Sequence, residues 1–255
     1  MYTVRSYVRP ESLEQAITEL KSGKHNRMIG GGVFLKMQHR AISKLISLDG
    51  LGLDQITQTD ESVIIGGAVS LRDIETNPII LDHFPALSYA VSQIVGVQLR
   101  NLAQVGASVF SRYGFSDIIP CLLAADASVK LAEAGEMKIS EFLDRERDWD
   151  ILYEISLPKE VTLAYDNLRQ TNGDFSSLNL AIGKTEDDWR IVYGARPMGA
   201  FLAEAASQAA KDGQSLEEVT RLVQEEVPFG TNLRASADYR RHLAGVLLER
   251  LWEVQ

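Results

Sequence analysis

Two stretches of the chain are bare enough for the backbone itself to do chemistry. IGGGVFLKMQ, residues 29–38, sets Gly30, Gly31 and Gly32 between an apolar start and an apolar run. QVGASVFSRYGFSD, residues 104–117, sets Gly106, Ala107 and Ser108 in a row and ends on Asp117. A small-residue turn after a strand exposes successive N–H groups that can surround an anion, usually a phosphate. The named phosphate motifs do not fit. There is no G-x-x-x-x-G-K-S/T, and GGGVFL is neither G-x-G-x-x-G nor followed by an acidic ribose anchor at the usual distance. Taken alone, each stretch reads first as a tight turn packed under another strand. Together, in a chain without nucleophile or metal signatures, they also fit a dinucleotide shared between them. Asp117 would then accept bonds from ligand hydroxyls, or else cap its own helix.

Other chemistries find little support. Cys121 is the only cysteine, so an internal disulfide, and an iron–sulfur cluster or cysteine zinc site held by this chain alone, are excluded. The histidines, His25, His39, His83 and His242, are scattered and show no metal-ligand spacing. No catalytic acid, base or nucleophile and no metal site is expected. A net charge of −9 argues against broad binding to nucleic acid or anionic membrane. No apolar stretch is long enough to span a bilayer, and MYTVRSYVRP has no apolar signal core, so a cytoplasmic protein is expected.

The elements that must position these loops follow from periodicity. Pro10–Leu20 reads as a helix stopped by Gly23, and Arg27–Ile29 as a short strand entering the glycines. KLISL and SVIIGGAVSL read as strands, Leu71–Glu75 and Phe84–Ile94 as helices. Ser116 or Asp117 can cap a helix that admits Pro120 in its first turn. Ser128–Leu131 and WDILYEISLP read as strands. Beyond about residue 161, LAYDNLRQ, LNLAIGKT and RIVYGARP read as three strands, the last two flanking an EDDW turn. Helices are expected over Gly199–Lys211, Leu216–Val227 and Ala237–Trp252, the last with a stripe of Tyr239, Leu243, Val246, Leu247 and Trp252. The layout is α+β, in two parts.

In this order the segments resemble the FAD-binding (medium) subunit of the molybdenum hydroxylases, the xanthine dehydrogenase and carbon monoxide dehydrogenase family. Gly30-Gly31-Gly32-Val33-Phe34-Leu35 stands where that family reads approximately A-G-G-T-D/N-L, between a P-E-S-L-E-Q-A helix and an I-S-L strand. Leu99-Arg100-Asn101-Leu102-Ala103-Gln104-Val105-Gly106-Ala107-Ser108 stands for I-R-N-x-A/S-T/S-x-G-G-N, and Phe115-Ser116-Asp117 ends the following S-P-x-S-D. PCLLAADASVKL, ILYEISLP and SADYRRHLAGVLLERL resemble the family's continuation, its last flavin-domain strand and its closing helix, so the similarity runs nearly end to end.

The resemblance implies an FAD-binding domain of the vanillyl-alcohol oxidase type over residues 1–160, in lobes of about 1–52 and 53–160. A smaller α+β carboxy-terminal domain over 161–255, a three-stranded sheet with helices, would follow. It implies FAD held by Ile29, Gly30, Gly31, Gly32, Val33, Phe34 and Leu35 of the first loop. Gln104, Gly106, Ala107, Ser108 and Phe110 of the second loop would join them, with Asp117 on a ribose or ribityl hydroxyl and Leu152 near a ring. Backbone amides around Gly31–Leu35 would hold the diphosphate by dipoles rather than by charged groups. It implies partners: a molybdopterin-binding large subunit and a [2Fe-2S] small subunit, whose electrons pass through FAD to an acceptor, NAD among them.

The sequence also departs from the pattern. Val33 and Phe34 replace a polar pair, Gln104 a threonine or serine, and Ser108 an asparagine. Ala107 adds a methyl group and disfavours positive φ. In the carboxy-terminal domain the family's lysine position falls on Asp166 or Asn167 and its arginine position on Gln170. These losses leave a second reading open, a degenerate member with weak or no FAD binding that serves as a structural or assembly partner.

Overall fold

The computed structural model describes residues 3–252. The chain opens with strand β1 (Thr3–Val8), helix α1 (Leu13–Lys21), strand β2 (Arg27–Ile29), a 3-10 turn over Leu35–Met37 and strand β3 (Ala41–Ser47). These three strands form a parallel sheet in the order β1-β3-β2. Helix α1 covers it, starting where Ser12 Oγ accepts from the N–H of Gln15 at 3.2 Å. Ala16, Ile17 and Leu20 then bury against Ile46, Leu48 and Ile151. Residues 3–8 carry no strand pattern that the sequence shows, yet they form β1. β1 is an edge strand exposed almost throughout, so it carries no hydrophobic alternation to read.

A second sheet follows, with β4 (Ile56–Gln58) and β5 (Ser62–Gly66) at its start. Then come helices α2 (Leu71–Thr76), α3 (Pro78–His83), α4 (Pro85–Ser92), α5 (Val97–Arg100), α6 (Val105–Phe110) and α7 (Ile118–Ala124). Strands β6 (Ser128–Leu131) and β7 (Gly135–Lys138), helix α8 (Ile139–Asp144) and strand β8 (Leu152–Pro158) complete it. The five strands are antiparallel, in the order β4-β5-β8-β6-β7. SVIIGGAVSL is extended only to Gly66. There Gly66 and Gly67 turn flat against the carbonyls of Leu53 and Leu152, where a Cβ would stand 2.1 and 2.5 Å away.

The third sheet contains β9 (Thr162–Leu168), β10 (Leu178–Lys184), β11 (Trp189–Gly194) and β12 (Phe201–Leu202), in the order β12-β11-β10-β9. It therefore has four strands, not the expected three. The extra one is a two-residue edge strand, too short to show a pattern, and it delays α9 (Glu204–Lys211) to residue 204. Helices α10 (Leu216–Glu226) and α11 (Ala237–Trp252) follow. The inward stripe of α11 is Leu243, Ala244, Leu247, Leu248 and Leu251, while Tyr239 is exposed. Fully buried Arg240 donates to the carbonyls of Ser177, Gly230 and Ala235 at 2.6–2.7 Å. Every residue of α7 is buried, because one core contains this helix, the second sheet and Leu163, Tyr165, Ala181 and Val192 of the third. Among the described residues no helix is long and apolar enough to cross a membrane.

Candidate functional site

The bare loops meet each other. A Cβ on Gly31 would lie 1.6 Å from the carbonyl oxygen of Leu102, at a φ of +76°. Only glycine permits both the closeness and the left-handed backbone. A Cβ on Gly30 would fall 2.2 Å from that of Ala107. The methyl group that distinguishes Ala107 from glycine thus fills the space Gly30 leaves empty. Ala107 sits inside α6 in helical conformation, so the positive φ it disfavours is not required. Gly106 is bare for a different reason than ligand approach. Its N–H donates to Gly67 O at 2.9 Å, and a Cβ would stand 2.7 and 2.8 Å from the carbonyls of Gly67 and Leu152.

Where the loops face each other a cleft of about 660 Å³ opens, within the roughly 300–1,000 Å³ of small-molecule sites. Ile29, Gly30, Gly32, Val33, Phe34, Leu35, Gln104, Gly106, Ala107, Ser108, Phe110, Asp117 and Leu152 all line it. Gly31 does not, being turned against Leu102. Among the described residues, the N–H groups of Gly31 to Leu35 donate to no acceptor within the protein. A run of unpaired amides beside a cleft is uncommon, since backbone donors away from bulk water are nearly always satisfied.

Asp117 lines the cleft and already has partners within the protein. Its Oδ1 accepts from Tyr165 Oη and Ser176 Oγ at 2.6 Å and from Asn179 Nδ2 at 2.9 Å. Oδ2 lies 2.8 Å from Arg169 Nη2. The cap of α7 is Ser116, whose Oγ accepts from the N–H groups of Ile118 and Ile119. Asp117 is 4% exposed and ties the third sheet to the cleft wall. Burial, and then the Asp117 carboxylate beside it, push the Tyr165 phenol well above its ordinary range. Arg169, one position before the aligned Gln170, supplies the guanidinium here.

Several lining residues escaped the sequence reading. Tyr113 and Phe115 stack at 4.9 Å and 10°, Phe34 lies 5.0 Å from Tyr113, and Phe175 lies 4.2 Å from Phe115. The aromatics in SRYGF were a visible signal, but Phe175 comes from the far side of the third sheet's first connection. Arg27, Arg40 and Arg147 also line the cleft, with the Arg27 guanidinium 4.8 Å over the Trp149 ring. Val95, another lining residue, has a φ of +48°, rare for a β-branched side chain. Arg100 pins this turn by donating to Ile94 O at 2.9 Å while pairing bidentately with Glu75 at 2.7 and 3.1 Å. Burial would raise the Glu75 carboxyl, but its bonds to Arg100 and Arg72 outweigh that and lower it. No group of three or more His, Cys, Asp or Glu among the described residues is placed to hold a metal ion.

Residues 2–160 match the model of the FAD-binding domain in molybdopterin dehydrogenase, and residues 163–254 that of the CO dehydrogenase flavoprotein C-terminal domain. The chain is 24% identical over 266 residues to the glyceraldehyde dehydrogenase medium chain of Sulfolobus acidocaldarius, covering 95% of each. It is 26% identical over 293 residues to a xanthine dehydrogenase FAD-binding subunit of Escherichia coli O157:H7, covering 98% of this chain and 96% of the relative. A solved carbon monoxide dehydrogenase chain from Hydrogenophaga pseudoflava shares the fold, with a TM-score of 0.85 at 23% identity over 97% of this chain and 96% of that one.

Proposed function

The chain belongs to the family of FAD-binding oxidoreductase subunits of molybdopterin dehydrogenases, and from that premise we propose how it works. It is the electron-exit subunit of a molybdenum hydroxylase complex. Electrons released by substrate oxidation on a molybdopterin-binding large subunit reach it through a [2Fe-2S] small subunit and leave to an acceptor such as NAD. We further propose a cytoplasmic location, the vanillyl-alcohol oxidase type of FAD-binding domain with lobes of about 1–52 and 53–160, and a boundary near residue 160.

The single observation that supports the reading is the run of amides from Gly31 to Leu35 beside the cleft, unpaired among the described residues. FAD's diphosphate needs such donors, and the residues present fit it. Gly32 lines the cleft without a side chain, and Val33, Phe34 and Leu35 present amides whatever their side chains are. The polar groups lost at Val33 and Phe34 are therefore not the groups that grip the diphosphate. When bound, FAD supplies the redox chemistry. The chain's own part is to orient and shield it. Leu152 and Ile29 give apolar walls, and Gln104, whose Oε1 lies 3.5 Å from the Cβ position of Gly30, faces the first loop. Phe34, Tyr113, Phe115 and Phe175 exclude water from one side.

Reconstitution tests the assignment. The complex assembled with this chain should reduce NAD or another two-electron acceptor at the expense of its substrate. Without it, substrate oxidation should persist only with dyes that draw electrons from the partner clusters. Substrate oxidation by the isolated chain would contradict the proposal.

A further inference from the structure

The cleft carries more positive charge than its loops explain. Its acidic lining residues are Asp117, Asp148 and Asp150, and each is spent inside the protein. Asp117 faces Arg169, Asp148 pairs with Arg145, and Asp150 accepts from the N–H groups of Glu133, Ala134 and Ile151 at 2.8–3.1 Å. Its basic lining residues, Arg27, Arg40 and Arg147, form no ion pair among the described residues. They come from separate segments: strand β2, the entry to β3 and the loop before β8. Arg27 is half-buried and Arg40 and Arg147 are exposed, and in a chain of net charge −9 the three concentrate positive charge on one cavity.

Two of them are already oriented. Arg27 is half-buried, its Nη1 donates to the carbonyls of Lys24 and Asn26 at 3.0 and 2.6 Å, and its plane rests over Trp149. Among the described residues its Nε and Nη2 donate to no acceptor. Arg147 is anchored through Nη2 to Ser111 O at 3.1 Å. Burial, and then the charge of Arg40, depress the Arg27 pKa, so these like charges stand close enough to repel. An anion between them would relieve that repulsion.

We infer that Arg27, Arg40 and Arg147 clamp the diphosphate of the dinucleotide held in the cleft, adding charge to the grip of the loop amides and selecting FAD over the phosphate-free flavin. A diphosphate suits the set better than a carboxylate, because its oxygens accept from several planar guanidinium forks at once. The cavity's size and the protein's overall acidity disfavour a nucleic acid. The inference rests on the flavin reading above and replaces the expectation that dipoles alone suffice.

Purified full-length chain, stripped of flavin, is titrated with FAD, riboflavin and ADP at two salt concentrations, alongside the R27Q/R40Q/R147Q variant and its Arg→Lys counterpart. The expected result is that the glutamine variant loses FAD affinity about tenfold or more, the scale of one charge-assisted hydrogen bond. Its FAD affinity should also lose its salt dependence. Riboflavin binding should not change, and the lysine variant should recover the salt dependence. Unchanged FAD affinity and salt dependence in the glutamine variant would overturn the clamp while leaving the flavin reading intact. If the wild-type chain bound neither flavin, the flavin reading would fail and ADP would decide. ADP binding lost in the glutamine variant would uphold a diphosphate clamp, and a wild-type chain blind to ADP would overturn it. Matching circular dichroism of all three proteins excludes misfolding as the cause.

Discussion

At the scale of single residues, Gly31 and Asp117 make opposite lessons. The bareness of Gly30–Gly32 could be read from the chain, but its main cause, the carbonyl of Leu102, could not. Gly31→Ala must push the loops apart, whereas Gly52→Ala, also at positive φ but with open space around it, is a control that costs only about 1 kcal/mol. Flavin absorbance should fall in the first and persist in the second, with circular dichroism unchanged in both. Asp117 was visible as a polar residue at the right place, yet its partners lie 48–62 residues further along the chain, beyond any local signal. Asp117→Ala strands Arg169 and Tyr165 in the interior and should cost about 3–5 kcal/mol in denaturant unfolding. Tyr165 and Tyr193 set an alkaline limit. Burial raises both phenols in the folded state. Below the ordinary tyrosine value of about 10, both states are protonated and this stability is fully present. Above it the unfolded chain alone loses protons, so stability should fall by about 1.4 kcal/mol per pH unit for each tyrosine until the folded phenol ionises. Tyr193→Phe should remove its share of that slope in urea titrations run from pH 9 to 12.

At the scale of elements, what could be read was whatever repeats locally. The helix over residues 13–21 declares itself through Ser12 and the spacing of Ala16, Ile17 and Leu20. The helix over 216–226 does so through Ser215, whose Oγ accepts from the N–H of Glu218. Strands β1 and β12 declare nothing, one being exposed on both faces and the other two residues long. The second glycine stretch reads locally as a turn but is helix α6, because Gly106 packs on the backbone of Gly67 and Leu152. Its approach is set by the Arg100–Glu75 pair between α5 and α2, which also steadies the left-handed Val95 turn. The Glu75 carboxyl is lowered on folding, so its contribution is present above the ordinary carboxylate value and lost as pH falls through the folded value. Below about pH 4.3 the loop should loosen, seen as faster proteolysis near Val95. Glu75→Gln should show that loosening at neutral pH and lose the acid step.

At the scale of the whole molecule, the order of segments carried more than any motif. Neither glycine stretch matches a named phosphate signature, and both acquire meaning from their spacing relative to the strands around them. Charge was the misleading quantity. An overall −9 hid three arginines of the cleft, Arg27, Arg40 and Arg147, which have no ion pair among the described residues and come from separate segments of the fold. The third sheet was placed by its strands, but its role as a wall of the cleft, through Phe175 and the Asp117 network, required the packing of α7 between two sheets. The measurement that bears most directly on the central claim is the visible spectrum of the purified full-length chain after incubation with FAD and gel filtration. The expected result is flavin bands near one equivalent per chain, abolished in Gly31→Leu while the far-ultraviolet dichroism is retained. A colourless wild-type chain that rejects added FAD, or a Gly31→Leu variant as yellow as the wild type, would contradict it.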